Sequence, residues 1–192
     1  MLPIWKSIDF YRSPTDILEI FKDEPYPFLL ESSLNDSVRG RFSFVGFDPF
    51  YVFRCDGKES LESLKKAFLP FQSAPAAGFS PLEAGIVGFL GYDLGLYEER
   101  IPSRHPKDRK TPDCLFGFYD CIITVDHFAK KLYISSTGLP EELARLRQHR
   151  AQYRLRYILQ KLSLSLGVRS SISPIESAGD EKEIILSSNF SK

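Results

Sequence analysis

The side chains with the most chemical potential are few and far apart. His105, His127 and His149 fall on a loop, a strand end and a helical stretch. No group of His, Cys and acidic residues has the spacing of metal ligands. There is no Walker A loop, no HExxH and no GxSxG. An isolated histidine in such a setting reads as a solvated surface residue. The stretch from Gly85 to Gly95 holds glycines at 85, 88, 91 and 95. Their spacing is not GxGxxG and no helical pattern follows. They read as glycines that let another strand approach closely, with Tyr92 and Asp93 at a turn where the aspartate bonds backbone N–H groups.

Two polar positions next to apolar strands remain. Glu31 and Ser32 follow an apolar run, and Arg41 precedes Phe42 at the start of the next one. Each has a plain reading: a strand end reaching water, with Ser32 bonding the next turn, and an exposed arginine. Each also has a binding reading, because polar groups at strand ends line pockets and a guanidinium grips a carboxylate with two hydrogen bonds.

These positions need elements to hold them. The pattern predicts a strand over 4–10 and then a helix beginning at Ser13-Pro14-Thr15-Asp16, with Ile17, Leu18, Ile20 and Phe21 on its apolar face. Pro25 ends that helix, since the residue before a proline leaves helical geometry. A buried strand over 27–32 follows, then a loop over 33–40 and an alternating strand over 41–45 with Phe42 and Phe44 on one face. A strand over 50–54 runs into a hairpin-type Asp56-Gly57 turn. Leu61, Leu64, Ala67, Phe68 and Phe71 give a helix over 60–71. A glycine-containing strand over 84–92 precedes an exposed excursion over 98–112. Strands over 115–125 and 131–135 flank a turn at 127–130. One long helix is expected over 139–166, with Pro140, Glu141 and Glu142 in its first turn. Strands and helices alternate without regular βαβ units, so the fold class is α+β, largely antiparallel, with flanking helices that include a long C-terminal one. Residues 1–168 form one domain, and the Ser/Pro/Gly-rich composition of 169–192 is that of a linker.

Composition narrows the partners. The 25 basic and 25 acidic residues cancel, which gives no electrostatic reason for nucleic acid or an anionic membrane as partner. The apolar runs are too short to span a bilayer. Three cysteines without a CxxC pair argue against a disulfide framework and fit a reducing, cytoplasmic setting.

Several stretches taken together resemble a known family. Phe28-Leu-Leu-Glu-Ser32 and Gly40-Arg-Phe-Ser-Phe-Val-Gly46, with Asp48-Pro49, resemble the opening of component I chains of anthranilate synthase and aminodeoxychorismate synthase. Gly85 to Gly95 resembles the next landmark. Pro112-Asp113, Phe118-Tyr-Asp120 and Val125-Asp-His127 resemble the third, and Ser188-Asn-Phe-Ser191 resembles a junction to a second domain. The Gly91-Tyr-Asp-Leu-Gly95 form leans toward the aminodeoxychorismate branch, while Leu-Leu-Glu-Ser is also typical of the anthranilate branch.

The resemblance implies an N-terminal, non-catalytic domain that packs on a chorismate-binding catalytic domain. It implies no catalytic residue and no cofactor in this chain, with magnesium held only by the catalytic domain, and a glutamine amidotransferase subunit as further partner. It implies half of an amino-acid pocket of the tryptophan-binding type, formed by Glu31, Ser32, Arg39, Gly40, Arg41 and Phe42. It also implies an apolar face, built from Phe and Tyr between Arg41 and Val125, where the catalytic domain packs. A stand-alone amino-acid-binding regulatory module is the competing reading.

Overall fold

The computed structural model describes residues 3–34, 39–58, 60–72, 80–99 and 111–166. The expected linker over 169–192, the Ser188-Asn-Phe-Ser191 junction, and nearly all of the excursion over 98–112 lie outside these residues. The described elements are β1 (Ile4–Ile8), α1 (Pro14–Ile20), β2 (Phe28–Leu30), β3 (Phe42–Gly46), β4 (Tyr51–Cys55), α2 (Ser60–Phe68), β5 (Gly85–Leu90), α3 (Leu94–Glu98), β6 (Cys114–Tyr119), β7 (Cys121–Asp126), β8 (Lys131–Ser136) and α4 (Ala144–Leu166). The expected α+β class holds, with every strand pair antiparallel.

Two sheets share one ribbon. β1-β8-β7-β3-β2 form a five-stranded sheet and β4-β6-β5 a three-stranded one. β3 pairs with β7 in the first, and their continuations β4 and β6 pair in the second. Between the pairs Val45–Ile123 and Tyr51–Phe118, residues 46–50 on one strand face 119–122 on the other. That is one residue too many, which is the definition of a bulge, and a bulge bends its strand. Asp48 absorbs the bend at φ 50°, a left-handed conformation that aspartate tolerates better than most residues. The expected single strand over 115–125 is therefore two strands in two sheets, parted at Asp120.

One face of the larger sheet carries the main core. Val45, Ile123, Val125, Leu132 and Ile134 pack beneath Ile17 and Phe21 of the α1 segment and Leu155, Ile158 and Leu162 of α4. Stacked rings of Phe21 and Phe47, with centroids 4.3 Å apart, join helix to bulge. α1 starts as its sequence predicts: the Ser13 hydroxyl accepts the Asp16 N–H at 3.1 Å, satisfying one of the donors a helix start leaves open. On the opposite face the residues just before β5 cross over: the Ser80 hydroxyl lies 3.0 Å from that of Thr124, and the Ser135 hydroxyl donates to the Glu83 carbonyl at 2.7 Å. The smaller sheet has a lesser core of Phe53, Cys114 and Phe118 under α2.

Four local expectations need correction. The long helix begins at Ala144, not 139. Gly138 at φ 70°, followed by a cis Leu139–Pro140 peptide, turns the chain under the helix start, where Arg147 Nε donates to the Thr137 carbonyl at 2.9 Å. The Asp56-Gly57 turn leads into α2 instead of a hairpin, because β4 pairs with β6, far along the chain. β2 is a short edge strand and only half-buried, since β3 covers one of its sides. A short helix, α3, does follow the glycine stretch, and its Asp93 side chain makes no capping bond. Gly88 fits its expected role: a Cβ there would lie 2.0 Å from the Leu115 carbonyl oxygen.

Candidate functional site

The six predicted pocket residues lie along the return from β2 to β3. The Ser32 hydroxyl donates to the Arg39 carbonyl at 3.5 Å, a weak bond across the loop. The Ser32 N–H donates to Ser43 Oγ at 3.0 Å. Glu31 and Arg39 are exposed, Gly40 is buried, and Phe42 is half-buried, 6.4 Å from Phe44 on the same face. Arg41 does grip a carboxylate, as its pattern suggested, but one from its own chain: Nε and Nη2 donate to Asp126 Oδ2 at 3.1 and 2.7 Å.

That ion pair is held from both sides. The Arg41 guanidinium sits over the Phe42 ring at 4.7 Å, a cation–π contact. Asp126 Oδ1 accepts the N–H groups of Phe128 and Ala129 at 3.0 and 2.8 Å. Burial opposes ionisation of Asp126, yet the Arg41 hydrogen bonds and these backbone donors hold its pKa below the usual carboxylate value. The Arg41 pKa is raised, chiefly by its hydrogen bond to Asp126.

Behind Ser32 lies a cluster that residue spacing did not reveal. Ser43 is fully buried and its hydroxyl lies 2.7 Å from His127 Nε2. His127 Nδ1 lies 3.0 Å from the Tyr11 hydroxyl, and the two rings meet edge-on. His127 is thus no solvated surface histidine. It bridges the segment before α1 to β3, and through Ser43 it reaches the backbone of Ser32. The available signal was its place directly after β7, where a residue alternates onto the same face as Val125. His149 is exposed on α4, and His105 lies outside the described residues.

A second charged cluster sits at the corner between the sheets. Asp120 is fully buried. Arg150 Nε donates to its Oδ2 at 3.3 Å, and Arg154 Nε stands 3.5 Å from its Oδ1. Arg154 also donates to the Asp48 carboxylate at 2.6 Å and to the Phe47 and Asp48 carbonyls at 3.2 Å each. Burial raises the Asp120 pKa against the opposing pull of Arg154 and Arg150. A cavity of ≈ 140 Å³ lies nearby, lined chiefly by Phe71, Ile86, Phe118 and Tyr119. It is well below the few hundred Å³ of ordinary ligand pockets.

The expected apolar face has members in the smaller sheet and just beyond it. Tyr51, Phe89, Leu90 and Tyr97 are 40–49% exposed and Tyr92 is 95% exposed, while Phe53 and Phe118 are buried. Among the described residues no helix is long and apolar enough to cross a membrane.

Comparison with known proteins settles the family. A model described as chorismate binding enzyme matches residues 27–184. The chain belongs to that family. The match crosses the 168/169 boundary expected from composition. Anthranilate synthase component 1 of Thermus thermophilus is 32% identical over 161 residues, covering 77% of this chain and 34% of that protein. The Acetivibrio thermocellus protein of the same name is 26% identical over 139 residues, covering 64% and 28%. The crystal structure of anthranilate synthase component I from Streptococcus pneumoniae TIGR4 aligns with a TM-score of 0.54 at 20% identity, over 74% of this chain and 34% of that one, a likeness of fold. The chain spans about a third of the length of these relatives.

Proposed function

We propose that this chain is the non-catalytic, N-terminal part of a component I chorismate enzyme. It packs on a chorismate-converting domain and contributes half of a tryptophan-type amino-acid pocket at Glu31, Ser32, Arg39, Gly40, Arg41 and Phe42. The observation that supports a partial-chain reading is coverage, since the chain spans about a third of its relatives. The N-terminal placement rests on the likeness of Phe28-Leu-Leu-Glu-Ser32 and Gly40-Arg-Phe-Ser-Phe-Val-Gly46 to the opening of component I chains. On this reading magnesium and the acid–base groups belong to the remaining two thirds, and a glutamine amidotransferase subunit supplies ammonia. The exposed side chains of Tyr51 and Leu90, on the α2 face of the smaller sheet, with Tyr92 just beyond β5, support a packing surface there, because exposed apolar patches mark interaction sites. Phe89 points to the opposite face.

Anthranilate is the first reading of the product, supported by relatives that carry that name. Aminodeoxychorismate is the second, supported by Gly91-Tyr-Asp-Leu-Gly95 and Val125-Asp-His127. The test is product chromatography with chorismate, ammonium and magnesium. The purified chain should release neither product, and release of either would overturn the reading. The longest natural chain that contains this sequence should give anthranilate, and aminodeoxychorismate in its place would select the second branch.

A further inference from the structure

Cys55 closes β4 and Cys114 opens β6, and the ladder sets them directly opposite each other. They are 59 positions apart in sequence (114 − 55), so no local pattern links them. Both belong to the cluster beneath α2, so both side chains leave the sheet on the same face. Both are free thiols. Directly opposed residues of an antiparallel pair have Cα atoms about 4.5 or 5.5 Å apart, inside the roughly 4.4–6.8 Å that a disulfide requires. The Cys114 pKa is raised first by burial and then by the charge of Cys55.

The two thiols differ in access. Cys114 is fully buried, whereas Cys55 is half-exposed at the rim, its Sγ 3.7 Å from the Asp56 carbonyl. A reagent from solvent therefore meets Cys55 first and leaves Cys114 to react from within. Cys121, the third thiol, is buried in the main core, and its pKa is pushed up to about 12 by burial.

We propose that Cys55 and Cys114 form a reversible thiol–disulfide site whose co-reactant is a low-molecular-weight disulfide of the glutathione type. The Cys55 thiolate attacks one sulfur of the reagent, forming a mixed disulfide and expelling one thiol. Cys114, losing its proton to solvent, attacks the Cys55 sulfur and expels the second thiol. The protein loses two electrons and two protons, and the reagent gains them as two thiols. The resulting bond ties β4 to β6 and closes a loop over 56–113 that contains α2, β5 and α3. It acts on the smaller sheet, whose core has three buried residues among the described residues against twelve in the larger one. This is a switchable link and not the disulfide framework that the cysteine count argued against.

The test is native incubation of the full chain with glutathione disulfide, followed by alkylation and peptide mass mapping. The expected result is a linked Cys55–Cys114 peptide, Cys121 unmodified, and a Tm higher by roughly 5–10 °C that dithiothreitol reverses. Cys114→Ala should trap glutathione on Cys55, and Cys55→Ser should take up none. Three results would overturn the proposal: no loss of thiols, links between chains, or wild-type protein that keeps glutathione on Cys55 beside a free Cys114.

Discussion

Arg41 and Arg154 each hold an aspartate, in opposite surroundings. Arg41 stands at the β2–β3 return with its side chain 39% exposed, and its partner Asp126 has two backbone donors besides. Arg154 lies in the corner between the sheets with its side chain 7% exposed, and it serves Asp48, Asp120 and two carbonyls at once. Asp126 is itself buried, but it keeps its two backbone donors when the first guanidinium is removed. The second guanidinium is harder to replace, because the bulge at Asp48 and the strand break at buried Asp120 both turn polar groups toward it, and among the described residues only Arg150 shares Asp120. The first pair ties the β2–β3 return to the end of β7. The second holds the bend that places the two sheets. One residue pairing therefore ties down a strand return in one region and the bend between the sheets in the other, and the exposure of the guanidinium separates them.

The widest gap between the two regions should appear in stability. Arg154→Ala should destabilise the chain by about 3–5 kcal/mol, because it strands buried Asp120 without its main counter-charge. Arg41→Ala should cost less, about 1–3 kcal/mol, because buried Asp126 loses the partner of its Oδ2 but keeps two backbone donors on its Oδ1. Urea unfolding of both variants measures the difference, and equal losses would erase the contrast.

A smaller effect separates the carboxylates by pH. The Asp126 pKa is lowered in the folded state, so its contribution is fully present above the unfolded value of about 4 and is lost as pH falls through the folded value. The Asp120 pKa is raised, so its contribution is present at low pH and is lost as pH rises through the folded value. Asp126→Asn should cost about 1–2 kcal/mol at pH 7 and should flatten the acid limb of Tm against pH. A steeper limb in that variant would reverse the sign assigned here.

The smallest effect is expected at the rim itself. Ser32→Phe should change Tm by no more than about 3 °C, because the Ser32 side chain makes one weak bond and its link to Ser43 runs through the backbone N–H. A drop beyond that, measured by calorimetry, would place Ser32 in the core and remove it from an open half-pocket.

Parts of the molecule were legible before the fold was known. Ser13, Pro14 and Asp16 announce α1 through capping chemistry that acts within one turn. The alternation around Phe42 and Phe44 announces β3, and the spacing of Leu61, Leu64 and Phe68 announces α2. Arg41 was legible as a carboxylate-binding residue, although its carboxylate proved to be Asp126. His127 was misjudged, because nothing within several residues of it shows that Ser43 and Tyr11 will meet its ring.

By itself, then, the amino-acid order determined the α+β class, the family motifs and those elements whose signals act within a turn or along one strand, such as α1, β3 and α2. The tertiary structure alone decided where the β3–β7 ribbon breaks into two sheets, which aspartates Arg154 answers, and that Cys55 faces Cys114. Those pairings join residues 34–106 positions apart (154 − 120 and 154 − 48). At such separations helical and strand periodicities carry no phase information. Only the register of the ladder and the packing of α4 against the bulge bring those groups within bonding distance.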